Sequence, residues 1–303
     1  MNNPVIVGAG LAGLIAAQVF QRAPLYESQP EARSHHRALL RFRSDAVSKL
    51  TGIEFNPVTV RKGIWMRGEL VPPSIRLANL YSYKVLKRHE SERSIWNLEP
   101  VTRYIAPEDL YEQMVALAGK RINWGTMFSS MAEGDETPFI STIPLPVVLK
   151  AVAFPHPLPE FHRAPITVER FRIADCDLYQ TIYFPDPSLN EYRASITKDL
   201  LIIEGAGKQT HCHEVMQAFG ISSDRAEPMD SGVQEYGKIV PLPHQESQQL
   251  LGYLTVKHNI YSLGRFATWR NLLLDDVVQD AATIFRLMRM SSYGKTLHFS
   301  KSP

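Results

Sequence analysis

The first hydrophobic run, residues 3–8, has the length and bounding residues of a short buried strand. The apolar positions that follow over 11–21 recur at helical spacing, and residues 24–27 form a second short apolar run. Together they predict a strand–helix–strand unit. Residues 31–52 mix basic and apolar positions in a helix-like way. From 53 to 105 the chain is rich in aromatics, prolines and basic residues, with candidate strands at 58–60 and 63–66. Pro107, Glu108 and Asp109 then open a predicted helix of about ten residues, since proline suits a first turn and acids complement the positive end of the helix dipole. Segments 121–124 and 138–143 read as strands returning to the first sheet.

Residues 144–165 are punctuated by prolines and are expected to be irregular. The pattern over 166–204 is β-like, with runs at 181–184, 191–196 and 200–203. The last segment is α/β again. It has a strand at 259–263, a turn at Gly264 and Arg265, and a long helix over 275–290 with acids at its start and arginines towards its end. No internal repeat interrupts this order. The expected fold is therefore α/β: a discontinuous, Rossmann-like nucleotide-binding domain from 1–52, 105–150 and 236–303, with an inserted β-rich substrate domain from 53–104 and 151–235.

Composition narrows the class only slightly. A chain of 303 residues, 44% hydrophobic and 21% charged, has ordinary globular usage and ample core-forming material. The net charge of +2 is no nucleic-acid signature, although it leaves room for a local basic face. No run of about eighteen apolar residues exists, so a spanning helix is not expected. The apolar N-terminus lacks the basic region of an export signal. With only Cys176 and Cys212, and so no disulfide framework, the expected location is the reducing cytoplasm. His211, Cys212 and His213 stand too close in sequence to converge on one ion, and no metal site is expected.

The chemistry begins at Gly8, Gly10 and Gly13. They form G-x-G-x-x-G between a predicted strand and a predicted helix. Gly8 would permit the tight turn, Gly10 would let the backbone approach a pyrophosphate, and Gly13 would let helix and strand pack closely. Leu11 and Ala12 lie at the helix mouth, where free N–H groups receive phosphate oxygens. Glu27 ends the second strand, where its carboxylate can accept both hydroxyls of a ribose and would repel the 2′-phosphate of NADP. These residues do not separate NAD from FAD.

The segment VIVGAGLAGLIAA followed by LYE resembles the N-terminus of the amine oxidase and UDP-galactopyranose mutase superfamily of flavoproteins. The run from Tyr261 to Trp269, with Asp275, Asp276, Val277 and Val278 after it, is similar to that group's C-terminal flavin segment. The resemblance implies FAD as cofactor, a glycine-arginine turn by the pyrophosphate, and a following helix aimed at the pyrimidine edge of the flavin. By it Gly264, Arg265, Trp269, Asp276 and Val277 become cofactor neighbours. The family's paired glycine after the ribose acid is replaced here by a basic segment, from which Arg37 and Arg43 are candidates to neutralise the pyrophosphate.

A second dinucleotide loop is not expected, because residues 201–207 lack the third glycine and read as a strand and turn. In the β-rich part Tyr183, Tyr192 and Arg193 are candidate pocket residues, Arg193 as a fork for a carboxylate or phosphate. Lys238 stands before the final return strand, and a lysine near flavin N5 recurs in flavin oxidases. Lys238, Tyr192 and Arg193 are thus the expected catalytic residues, with His156 and His162 as further proton carriers. Trp96 and Trp124 are expected in a core or an interface. No nucleophile elbow or P-loop lysine is present.

The leading expectation is an FAD-dependent oxidoreductase that oxidises the C–N bond of a small amine or amino-acid-like group. Hydride would pass to the flavin and oxygen would reoxidise it. Three alternatives stay open: a redox-neutral enzyme like the sugar-nucleotide mutases, a flavin-dependent lyase acting on an amino-acid-modified thymidine in DNA, and a non-catalytic FAD-binding protein. The expected partner is accordingly a small amine or a modified nucleotide, with DNA as the weaker alternative and no membrane.

Overall fold

The N-terminal apolar run becomes β1 (Val5–Val7), and the small apolar residues after it form α1 (Leu11–Val19). The computed structural model describes residues 3–32, 41–89, 95–127, 137–207 and 212–299. Along it follow β2 (Leu25–Tyr26), β3 (Arg41–Phe42), α2 (Ala46–Thr51), β4 (Asn56–Met66), β5 (Glu69–Leu70) and α3 (Ile75–Leu86). Next come β6 (Val101–Ile105), α4 (Leu110–Ala118), β7 (Ile122–Asn123), β8 (Phe139–Ser141) and α5 (Leu145–Ala151). Then come β9 (Arg163–Ile173), β10 (Leu178–Tyr183), β11 (Glu191–Lys198), β12 (Leu200–Gly205) and α6 (Cys212–Ala218). The chain ends with β13 (Ala226–Ile239), α7 (His244–His258), β14 (Ile260–Ser262) and α8 (Leu274–Phe299).

The strands make two sheets. The smaller is parallel, in the order β14-β8-β1-β2-β7, and unites strands from both chain ends as the sequence predicts. Alternate residues of its strands serve opposite faces: Ile6 and Ile140 pack with α1, α4 and α8, whereas Phe139 and Ile260 pack with α5 and α7. The chain leaves β1 towards β2 on one side and later fills β8 on the other. This makes the carboxyl ends of β1 and β8 a topological switch point, the usual crevice for ligands in such sheets.

The larger sheet runs β13-β9-β12-β11-β10-β4-β6-β3, with β5 beside β4, and only β10 and β4 pair in parallel. Ile182, Ala194, Ile196, Leu201 and Ile203 bury one face against α6. The opposite face is covered at one end by α3, through Tyr81 and Val85.

Several expectations are corrected. The proline-punctuated stretch holds α5, because Pro146 falls in its first turn, where the missing N–H costs nothing. Residues 58–60 and 63–66 belong to one continuous strand, β4. Helix α3, capped by Ser74 accepting from the Leu77 N–H at 3.2 Å, and α7 lie where no helix was expected. Within 31–52 the described residues form β3, which joins the larger sheet, and α2. Trp124 packs at the core edge, but Trp96 is 53% exposed.

Candidate functional site

The glycine loop has the geometry its residue types demand. Gly8 adopts φ +98° and donates from its N–H to the Tyr26 carbonyl at 2.8 Å. A Cβ on Gly13 would lie 1.8 Å from the Gly8 carbonyl oxygen, so only glycine lets α1 approach the loop this closely. A Cβ on Gly10 would meet nothing within 4 Å. Gly10 is also the N-cap residue of α1 and offers no side chain to satisfy the first-turn N–H groups of Leu11 and Ala12. The loop is closed where it must pack and open where a phosphate would approach.

Glu27 is locked to this loop. Its Oε2 accepts from the Ala9 N–H at 2.7 Å, and its Oε1 accepts from the Gln29 N–H at 2.9 Å. The second chain end meets the same place: Gly264, at φ +94°, lies so close to α1 that a Cβ would stand 2.7 Å from that of Ala12. Arg265 donates to the Gly237 carbonyl at 3.2 Å, which ties this turn to the residue preceding Lys238.

The remaining cofactor candidates divide. Arg43 pairs with Asp276 and donates from its backbone to Asp275 at 3.1 Å, so its charge is engaged by the acids at the head of α8. Asp276 also accepts from the Leu273 N–H at 2.8 Å, while the buried Oδ1 of Asp275 has no partner among the described residues. Val277 packs in the core with α1. Trp269 is 1% exposed and stands edge-on to Phe161 and Tyr236, its buried indole N–H without a partner among the described residues. Arg37 lies outside the described residues.

Lys238, Tyr192 and Arg193 come together around a residue the sequence reading passed over, Glu204. The Tyr192 hydroxyl donates to Glu204 Oε1 at 3.1 Å, Arg193 Nε donates to Oε2, and Lys238 Nζ stands 3.9 Å from Oε1 and 4.7 Å from the Tyr192 ring centroid. Neighbours on a regular strand point to opposite faces. An irregularity in the pairing between Glu191 and Arg193 lets both Tyr192 and Arg193 reach the same carboxylate. Burial alone would raise the Glu204 carboxyl, but Arg193, then Lys238 and the hydrogen bonds hold it down at about 2. The acid ends a run of four apolar residues and alternates with the buried Ile202, the one signal that could have marked it. Tyr183 is close by, paired across strands with Arg193. His162, by contrast, is more than half exposed, its Nε2 3.3 Å from Glu160 Oε2.

Among the described residues, no group of three or more histidines, cysteines or acids could hold a metal, and no helix is long and apolar enough to cross a membrane. No protein-family model matches the chain, and no curated protein does. Solved structures match over nearly its whole length. A reduced UDP-galactopyranose mutase superposes with a TM-score of 0.67 over 96% of this chain and 94% of its own, at 14% identity. A CLA-producing fatty acid isomerase from P. acnes gives 0.58 over 94% and 98%, at 10% identity. HpxO of Klebsiella pneumoniae, complexed with FAD and uric acid, gives 0.54 over 92% and 76%, at 14% identity. The chain has the fold these proteins share, an α/β architecture of a parallel sheet and a larger, mostly antiparallel sheet flanked by helices.

Proposed function

We propose that the chain binds FAD and is an FAD-dependent oxidoreductase acting on the C–N bond of an amino-acid-like group. The observation that carries the cofactor is the loop in which Glu27 is fixed to Ala9 while the space before Gly10 stays open. Gly8, Gly10 and the N–H groups of Leu11 and Ala12 would receive the pyrophosphate, Glu27 the ribose, and the segment from Gly264 the remainder of the molecule. The fold shared with HpxO, whose structure contains FAD, supports the same assignment. When bound, the flavin supplies a two-electron acceptor.

On the protein side, Glu204 holds Lys238, Tyr192 and Arg193 in one place, beside the turn that carries Arg265. Such a basic cluster repels a simple alkylammonium and suits a substrate that also carries a carboxylate. That favours the amino-acid-like substrate over the plain amine. A redox-neutral reading like that of the mutases is the second, favoured by the whole-length likeness to a UDP-galactopyranose mutase.

The test is direct. Purified protein, supplied with FAD, is expected to show oxidised-flavin absorption that bleaches anaerobically with amino acids and returns with air. Retained colour with every amino acid, together with activity only after chemical reduction, would move the assignment to the second reading. Protein that takes up no flavin sinks both.

A further inference from the structure

Strand pairing puts an unusual set of residues on one face of the larger sheet. Thr181 opposes Ser195 and Lys62, Tyr183 opposes Arg193, Tyr179 opposes Thr197, and Arg193 opposes Glu204. Directly opposed residues share a face. On the neighbouring strands Arg103 opposes Val58, four positions before Lys62 and so on its face, and Arg41 opposes Ile105, two positions after Arg103. The same face therefore carries Arg41, Lys62, Arg103 and Arg193.

Arg41 lies deepest. It is 7% exposed, and it donates to Thr197 Oγ1 at 2.8 Å, to Thr181 Oγ1 at 3.0 Å and to the Ile196 carbonyl. All of these acceptors are neutral. Among the described residues neither Arg41 nor Arg103 makes a salt bridge with a carboxylate, and Glu204 is shared by Arg193 and Lys238. Burial raises the Tyr183 hydroxyl, and Arg193, Arg103 and Arg41 each pull it back down. Arg103, Tyr183, Tyr179 and Arg193 are half-buried, so solvent reaches them from one side. A buried guanidinium with no counter-ion among the described residues, on a face with two more, is a costly arrangement that a bound anion would relieve.

We propose that this face, which carries Arg41, Arg103, Arg193 and Tyr183, binds an oxyanion carried by the substrate. Arg103 and Arg193 reach the anion from the open side, and Arg41 supplies the field beneath it, held in place by Thr181 and Thr197. The proposal rests on the flavoprotein reading only in assigning the anion to the substrate. It also separates the two functional readings, because an amino-acid-like substrate brings a carboxylate and a sugar nucleotide brings a phosphate.

The experiment is a titration of the FAD-supplied protein with sodium acetate and, separately, with inorganic phosphate, at constant ionic strength. The thermal midpoint and the flavin spectrum are followed. Saturable stabilisation by at least one anion is expected, weakened tenfold or more in Arg103→Ala and unchanged in Arg225→Ala, an exposed arginine paired with Asp175. A response to acetate alone assigns a carboxylate, and a preference for phosphate assigns a phosphate ester. Arg103 is half-exposed, so its variant is expected to fold, and unfolding without anion verifies this. No saturable response, or an equal response in wild type and Arg103→Ala, overturns the proposal. Flavin content is read separately: colourless protein that still binds the anion through Arg103 removes the cofactor reading and keeps this one.

Discussion

At Gly13 a methyl group has no room, while at Gly10 it would hang in open space. The two glycines should therefore fail differently. Gly13→Ala is expected to destabilise the protein by about 2–3 kcal/mol, because backbone must move to admit the Cβ. Gly10→Ala is expected to leave the unfolding midpoint of the FAD-free protein nearly unchanged and to weaken FAD about tenfold by crowding the pyrophosphate. Denaturant unfolding and flavin titration of both variants check the pair. Similar losses of stability in both would mean that the loop is only structural. Glu204 gives a prediction in pH. Its folded pKa of about 2 lies below the usual carboxylate value, so its contribution is complete above the unfolded pKa and lost as pH falls from about 4.5 towards 2. Acid unfolding of Glu204→Gln should be shallower over that window than wild type, from a lower starting stability, since the variant leaves Arg193 and Lys238 without their shared carboxylate.

Among the elements, the end of β11 matters more than its length suggests. Lys84, reaching from α3, donates to the carbonyls of Phe184, Asp186 and Glu191, the last of them at the start of the irregularity that turns Tyr192 and Arg193 towards Glu204. Burial lowers this ammonium to about 8. Lys84→Met, which keeps the stem and removes the donors, is expected to cost about 2–3 kcal/mol in denaturant unfolding and to loosen the site. An unchanged midpoint would show that the three carbonyls find other partners. Segment 41–44 is a second connector: Arg41 enters the large sheet while Arg43 and Ser44 engage Asp275 at the head of α8. Elements with strong local signals, such as β1, α1 and the long last helix, were legible in the sequence. Helices α3 and α7 were not, since aromatic and basic residues in the first and polar positions in the second obscured the helical period.

Across the whole molecule, the smaller sheet is built from both chain ends, with β14 pairing β8, and α8 packs on α1. A dinucleotide held between the loop at Gly8 and the turn at Gly264 would bridge these ends. Saturating FAD, at about 100 times its dissociation constant, is accordingly expected to stabilise the protein by about 2.7 kcal/mol, read as a rise in thermal midpoint. No rise, in protein whose colour confirms uptake, would mean that the unfolded chain holds FAD as well as the folded one.

The glycine loop was determined by the sequence alone, because its requirements are local. Three glycines at fixed spacing, a strand before, a helix after and an acid at the end of the next strand lie within twenty-seven residues, and each meets its backbone partner nearby. The gathering of Lys238, Tyr192 and Arg193 on Glu204, and of Arg41 and Arg103 beside them, was decided only by the tertiary structure. Those side chains come from separate strands whose mutual register no local pattern specifies. A shift of one residue in any of those strands would turn its side chain to the opposite face.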